Sequence, residues 1–256
     1  MVTQERAHEY KSDFFEYINV GSTASARVVC PILIDWVSPD SVLDVGCGAG
    51  AWCRVWRECG VRDGIGVDGD YVDQTSLLID AGSFISQDLS KSFDLDRRFD
   101  LVVSLEVAEH VAEASAASFV DNLARHGDLV LFSAAVPGQG GEFHVNEQPL
   151  DYWRQLFAAR GFRCFDPLRP RIAGAREVEP WYRYNCLVYA RGGGLARLPA
   201  AVLQTEVLPG QTPAEVAPLS WRARNAIIRS LPAPVVAKLV VAKHALKRRL
   251  NQKRSV

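Results

Sequence analysis

The chain has 256 residues, 48% of them hydrophobic, and a formal net charge of −1. That is enough apolar material for one large α/β core, and the near-neutral balance excludes a general electrostatic attraction to nucleic acid. The charge is unevenly spread: the ten Lys and Arg residues beyond Glu215, the last acidic residue, give the tail +10 and leave the first 215 residues at −11.

Residues 1–38 read as a helical N-terminal cap, with a helix over 5–37 that carries Tyr10, Phe14, Phe15 and Tyr17. The first fifteen residues are polar and charged and lack an apolar signal core, and no unbroken apolar run is long enough to span a bilayer. Six cysteines (Cys30, Cys47, Cys53, Cys59, Cys164 and Cys186) form no C-x-x-C pair. These features predict a cytoplasmic chain with free, mostly buried thiols and no metal site.

Residues 39–191 alternate short apolar runs with helical patterns, which predicts βαβ units and a mainly parallel sheet. Strands are expected at 41–45, 64–68, 83–87, 99–104 and 128–133, and helices at 51–59, 112–126 and 148–160. Gly60 and Gly161 stop the first and last of these helices. Segments 162–165 and 184–189 complete the sheet as an antiparallel pair with a long connection. Residues 192–220 open on Gly192-Gly193-Gly194 and read as a Gly/Pro-rich linker or extended wrap. Residues 221–256 read as a basic amphipathic helix, because Val235, Leu239, Ala242, Leu246 and Leu250 recur at steps of 4, 3, 4 and 4.

The first strand ends in Asp44-Val45-Gly46-Cys47-Gly48-Ala49-Gly50, and a helix follows. Glycines there let the backbone turn sharply and approach a nucleotide-like ligand. Gly46-x-Gly48-x-x-Ala51 also satisfies a loose dinucleotide fingerprint, and a tight turn with no ligand has the same composition. The acidic residues separate these readings. Asp44 would repel a pyrophosphate but suits the ammonium of a bound amino acid. Asp68 ends the second strand 18 residues beyond Gly50, where ribose hydroxyls lie. Asp88 follows the third strand, where it can accept from an adenine amino group while Leu89 packs on the ring.

Taken in order, these segments resemble the motifs of class I S-adenosylmethionine (SAM)-dependent methyltransferases. The glycine loop is similar to their first motif, Gly66-Val67-Asp68 to the ribose motif and Gln87-Asp88-Leu89 to the adenine motif. Phe99-Asp100-Leu101-Val102-Val103-Ser104-Leu105-Glu106-Val107-Ala108-Glu109-His110 resembles their strand-four motif, especially that of the small-molecule branch. The resemblance covers about residues 40–190. It implies a Rossmann-like, seven-stranded, mainly parallel sheet with helices on both faces and an antiparallel last strand. SAM is the implied cofactor, held by Asp44, Gly46, Cys47, Gly48, Gly50, Asp68, Gly69, Asp88, Leu89, Ser104, Leu105 and Glu106. The N-terminal aromatics are expected to form a lid over it.

Methyl transfer from a sulfonium is an in-line displacement, and a hydroxyl acceptor usually needs a base. His110 and His144 follow the fourth and fifth strands, and histidine titrates in the right range. His144 is the preferred base, and its alternative role is to organise the loop with Asn146 and Glu147. His110 reads equally as a structural residue. The segment His144-Val145-Asn146-Glu147-Gln148 resembles one in bacterial methyltransferases linked to glycan and secondary-metabolite pathways. The favoured acceptor is therefore a sugar or glycosylated small molecule methylated on oxygen, with Trp153, Trp181, Tyr182 and Tyr184 as candidate walls. Amine, carboxylate or carbon acceptors, a non-catalytic SAM-binding scaffold and an NAD-dependent enzyme are the alternatives. The basic tail docks on the acidic body, rests on an anionic membrane surface or engages a partner. Trp221 is its only aromatic, so no nucleic acid is expected.

Overall fold

The computed structural model describes residues 12–231 and residue 235, with side chains from residue 19 onward. The elements are α1 (Ser12–Val37), β1 (Ser41–Val45), α2 (Ala51–Glu58), β2 (Asp63–Asp68), β3 (Phe84–Ser86), β4 (Leu101–Leu105), α3 (Glu113–His126) and β5 (Leu129–Ser133). There follow α4 (Leu150–Ala158), β6 (Arg163–Phe165), α5 (Arg169–Ile172), α6 (Pro180–Asn185), β7 (Leu187–Ala190), α7 (Gly192–Arg197), α8 (Ala200–Leu203), β8 (Glu206–Val207) and α9 (Leu219–Ser230). The strand order is β3-β2-β1-β4-β5-β7-β6-β8. The first five strands pair in parallel, whereas β7 is antiparallel to both β5 and β6.

Both faces of the sheet are covered, so the central strands are buried and mostly apolar rather than alternating. Val42, Leu101, Val103, Leu129 and Leu131 point into one core with α1, and Leu43, Val102, Val130 and Phe132 point into the other with α3 and α4. The chain runs outward from β1 through β2 to β3 and returns to β4 on the other side. The crevice beyond the carboxyl ends of β1 and β4 is the switch point where open α/β sheets bind ligands.

Four expectations need correction. The sheet has eight strands, because β8 pairs antiparallel with β6 through Cys164–Val207 and Phe165–Glu206. Tyr184 and Asn185 lie in α6 rather than in a strand: Pro180 opens that helix, and the strand starts only at Leu187. Gly192-Gly193-Gly194 does not begin a loose linker but starts α7, where Gly194 sits so near the next backbone that a Cβ would meet the Asp128 carbonyl oxygen at 2.2 Å. Arg191 clamps the same Asp128 at 2.9 Å. Finally, counting unbroken apolar runs missed residues 19–37, where Ala, Gly, Ser and Thr dilute the large side chains. Among the described residues this helix segment is long and apolar enough to cross a membrane. Here its Ala26, Val29, Cys30 and Leu33 are buried in the core.

The aromatic side chains Tyr10, Phe14, Phe15 and Tyr17, expected as a lid, lie outside the described residues. So does the tail stripe beyond Val235.

Candidate active site

The loop after β1 turns through three left-handed residues, Gly46, Gly48 and Gly50, at φ of 87°, 54° and 86°. Side chains are disfavoured there, and at Gly46 there is no room for one, because a Cβ would meet Val107 Cγ2 at 2.2 Å. Beside Gly48, by contrast, a Cβ would meet nothing within 4 Å. The loop is thus packed on the Val107 side and open at Gly48. Gly50 caps α2 without any side-chain hydrogen bond, which leaves the first N–H groups of the helix for a ligand. The Cys47 thiol donates to the Gly48 carbonyl at 3.4 Å.

Two buried carboxylates flank this opening. Asp44 is 3% exposed and takes a long 3.5 Å bond from the Cys53 thiol. Burial pushes its pKa up to about 7; the Cys53 bond opposes this and the nearby Asp68 adds to it. Asp68 accepts from the Gly48 and Gly69 N–H groups, each at 2.7 Å, and from the Tyr71 hydroxyl. Burial still raises its pKa against those three donors. Asp88 is half-exposed and accepts from the Ser90 N–H and hydroxyl at 3.1 and 2.6 Å, with Lys91 at 3.0 Å. Ser90 first, then Lys91, holds it below the usual carboxylate range. Leu89, Ser104 and Leu105 are buried. Two buried acids, an open glycine face and an uncapped helix start fit a cationic amino acid joined to a nucleoside.

The acceptor side begins at Glu106, which leaves β4 in the left-handed region at φ 57°. This strained turn is fixed by its N–H donating to the Ser133 carbonyl oxygen at 3.0 Å. The Glu106 carboxylate accepts from Gln139 Nε2 at 2.5 Å and Asn185 Nδ2 at 3.3 Å, and Asn185 also donates to Gln139 Oε1 at 2.8 Å. Burial raises the Glu106 pKa. One turn on, the backbone carbonyl of Glu109 accepts the Val145 and Asn146 N–H groups at 2.9 and 3.0 Å, which ties the His144 loop to the strand-four segment. His144 Nδ1 lies 2.8 Å from Glu147 Oε1. Glu147 in turn accepts from the Gly138 and Gly140 N–H groups at 2.7 Å each. Burial alone would raise Glu147, but His144 and these amides hold it below the usual range. The rings of His110 and His144 meet edge to face at 4.9 Å.

The structure therefore gathers Asp44, the glycine loop, Asp68 and Gly69 at one place, with Glu106, His110 and His144 next to it across Val107. Of the aromatics expected as acceptor walls, Trp153 and Tyr182 are core residues. Trp153 packs against Phe132, and Tyr182 against Trp52 with its hydroxyl 3.1 Å from Ser22 Oγ. Tyr184 meets Trp221 of α9 at 5.7 Å. Sequence reasoning missed Tyr71, Gln139, Asn185 and Arg224. Arg224 donates to the Gln139 carbonyl at 2.7 Å, so the start of the basic tail reaches the site. No local pattern marks these four residues.

A methyltransferase domain family model matches residues 27–167. Among curated proteins, a ubiquinone biosynthesis O-methyltransferase of Rhodopseudomonas palustris is 32% identical over 84 residues, 29% of this chain and 31% of that protein. One from Nitrobacter winogradskyi is 33% identical over 81 residues, 28% of this chain and 29% of that protein. The chain thus covers less than a third of the length of these relatives. Among solved structures, the sugar N-methyltransferase KedS8 from Streptoalloteichus sp. superposes with a TM-score of 0.53 at 18% identity, covering 73% of this chain and 91% of that one. DesVI of Streptomyces venezuelae gives 0.51 at 15% identity, covering 69% and 95%. The sheet, the glycine loop and the family match agree: the chain belongs to the methyltransferase domain family and has its Rossmann-like fold.

Proposed function

We propose that the protein methylates a hydroxyl oxygen of a small molecule, a sugar or a glycosylated metabolite being the favoured class. The observation that carries this reading is the His144–Glu147 pair, 2.8 Å apart, on the loop that Glu109 ties to the strand-four segment. An ionised carboxylate can only accept, so His144 Nδ1 is the donor to Glu147 and Nε2 is the ring nitrogen left for the acceptor. That imidazole is positioned to take the acceptor proton. The O-methyltransferase names of the curated relatives support the same chemistry over the matched third of their length.

Bound SAM supplies an electrophilic methyl group on a positive sulfur. In this reading Asp44 faces its charged methionine end, and Asp68 and Gly69 hold the ribose. Gly46, Cys47, Gly48 and Gly50 line the loop, Asp88 and Leu89 receive the adenine, and the buried Ser104 and Leu105 shape the wall beneath Glu106. As the acceptor oxygen bonds to the methyl carbon, the carbon–sulfur bond breaks, and the hydroxyl proton passes to His144 Nε2. Glu147 stabilises the imidazolium that forms. Six free thiols support a reducing, cytoplasmic setting. The contacts of Trp221 and Arg224 support docking of α9, where the basic tail begins, on the body.

A panel of glycosides, phenols and matched amines, incubated with SAM and followed by S-adenosylhomocysteine release and product mass, tests the reading. Methylation of a hydroxyl acceptor is expected, with His144→Ala retaining SAM affinity but losing turnover. Turnover of amines alone, or wild-type turnover in the variant, overturns it.

A further inference from the structure

The Glu109 carboxylate is 1% exposed, and only the backbone amides of Glu109 and Ala135 donate toward it, neither at full hydrogen-bond geometry. Buried polar groups are nearly always well paired, and a carboxyl without a full partner is a costly exception. Its surroundings suggest what it awaits. His144 Nε2 lies 3.9 Å from Glu109 Oε1, too far for a hydrogen bond. A ring nitrogen of His110 completes a set of three donor atoms that all lie within 4.8 Å of one another.

We propose that Glu109, His110 and His144 bind a divalent first-row cation with positions open to the acceptor. Two imidazoles and one carboxylate are a ligand set for such metals, whereas magnesium and calcium favour oxygen throughout. Glu147 sits as an acceptor behind His144 Nδ1, as carboxylates behind metal-bound histidines commonly do, and Nε2 lies toward Glu109. The spacings are wide enough to admit an ion and close by about 1 Å to reach metal–ligand bonds of about 2.1 Å. The sequence obscures the set, because His110 and His144 are 34 residues apart and no cysteine pattern accompanies them.

This inference rests on the acceptor reading above and changes one role within it. With the ion bound, His144 is a ligand rather than the base. The acceptor hydroxyl then bonds the cation, which lowers its pKa, and its proton leaves to water before the oxygen takes the methyl group.

The test uses the full chain, stripped with a chelator and titrated with Mn2+ while free Mn2+ is read by electron paramagnetic resonance. One equivalent is expected to bind, with Zn2+ competing. Glu109→Gln and His110→Ala are each expected to weaken binding by about tenfold or more while SAM still stabilises the chain thermally. An unchanged free Mn2+ signal on adding wild-type protein overturns the site, as does binding that both substitutions leave intact. Hydroxyl methylation by the stripped, non-binding enzyme would remove the metal and keep the O-methyltransferase reading. Mn2+ binding with no hydroxyl acceptor turned over would do the reverse.

Discussion

The Asp68 carboxylate at the end of β2 accepts the N–H of Gly48 at 2.7 Å, which pins the glycine loop of β1 to the neighbouring strand. One side chain thus both shapes the loop and lies beside its open face. Asp68→Ala is therefore expected to act twice. It leaves the buried Gly69 N–H without its acceptor, at a cost of about 1–3 kcal/mol, and frees the part-buried Gly48 N–H; it also weakens SAM by roughly tenfold or more through the same loss. Thermal melts with and without SAM check this: both the baseline Tm and the SAM-induced shift should fall. An unchanged shift would separate Asp68 from the cofactor.

Asp44 keeps its proton up to about pH 7 in the folded chain, whereas an unfolded aspartate loses it near ~3.9. Between those values the folded, ligand-free protein binds more protons than the unfolded one, so Asp44 makes it less stable as pH rises through that window. A cationic ligand favours the ionised carboxylate. SAM should accordingly bind more tightly as pH rises toward about 7, releasing a proton, and level off above that. Calorimetry in buffers of different ionisation enthalpy reads both effects, and Asp44→Asn is expected to flatten them. A pH-independent wild-type Kd would contradict the assignment.

Gly141 is the floor beneath the candidate base: a Cβ there would meet His144 Nε2 at 2.1 Å. Gly141→Ala must displace the imidazole by more than an ångström, and misplacement on that scale costs about 10²-fold in rate. The glycine loop is untouched, so SAM affinity should hold while kcat falls. A variant with normal kcat would show that His144 does not need this position.

Arg224 links α9 to the Gln139 carbonyl, and the Gln139 side chain donates to Glu106. α9 also presses on the same loop, since a Cβ on Gly138 would meet the Asn225 carbonyl oxygen at 2.2 Å. Arg224→Ala is expected to loosen this loop, raising KM for the acceptor several-fold with little change in SAM affinity. Steady-state kinetics with each substrate varied in turn decide it; equal effects on both would mean a general loss of folding.

How much was legible follows from how local each signal is. Asp44, Asp68 and Asp88 lie at or just after successive strands, so each is placed by its own segment, and the parallel sheet brings Asp44 and Asp68 together without further information. The same holds for the glycine loop, whose turn needs residues that tolerate positive φ. The Gly192-Gly193-Gly194 run was misread because glycine serves flexibility and close packing alike, and only the Asp128 backbone lying against Gly194 tells them apart. Trp153 and Tyr182 read equally as acceptor walls or as core residues, because an aromatic side chain looks the same in both, and the structure places them in the core.

What the sequence by itself determined is the order of the first five strands, the glycine loop and the methyl donor, because periodicity and turn chemistry act over a few residues. What only the tertiary structure decided is the acceptor side. Asn185 reaches Glu106 across 79 positions, and the buried Glu109 carboxylate meets His144 across 35. Those meetings depend on how loops pack over the sheet edge, and burial, not spacing, makes the Glu109 carboxylate conspicuous.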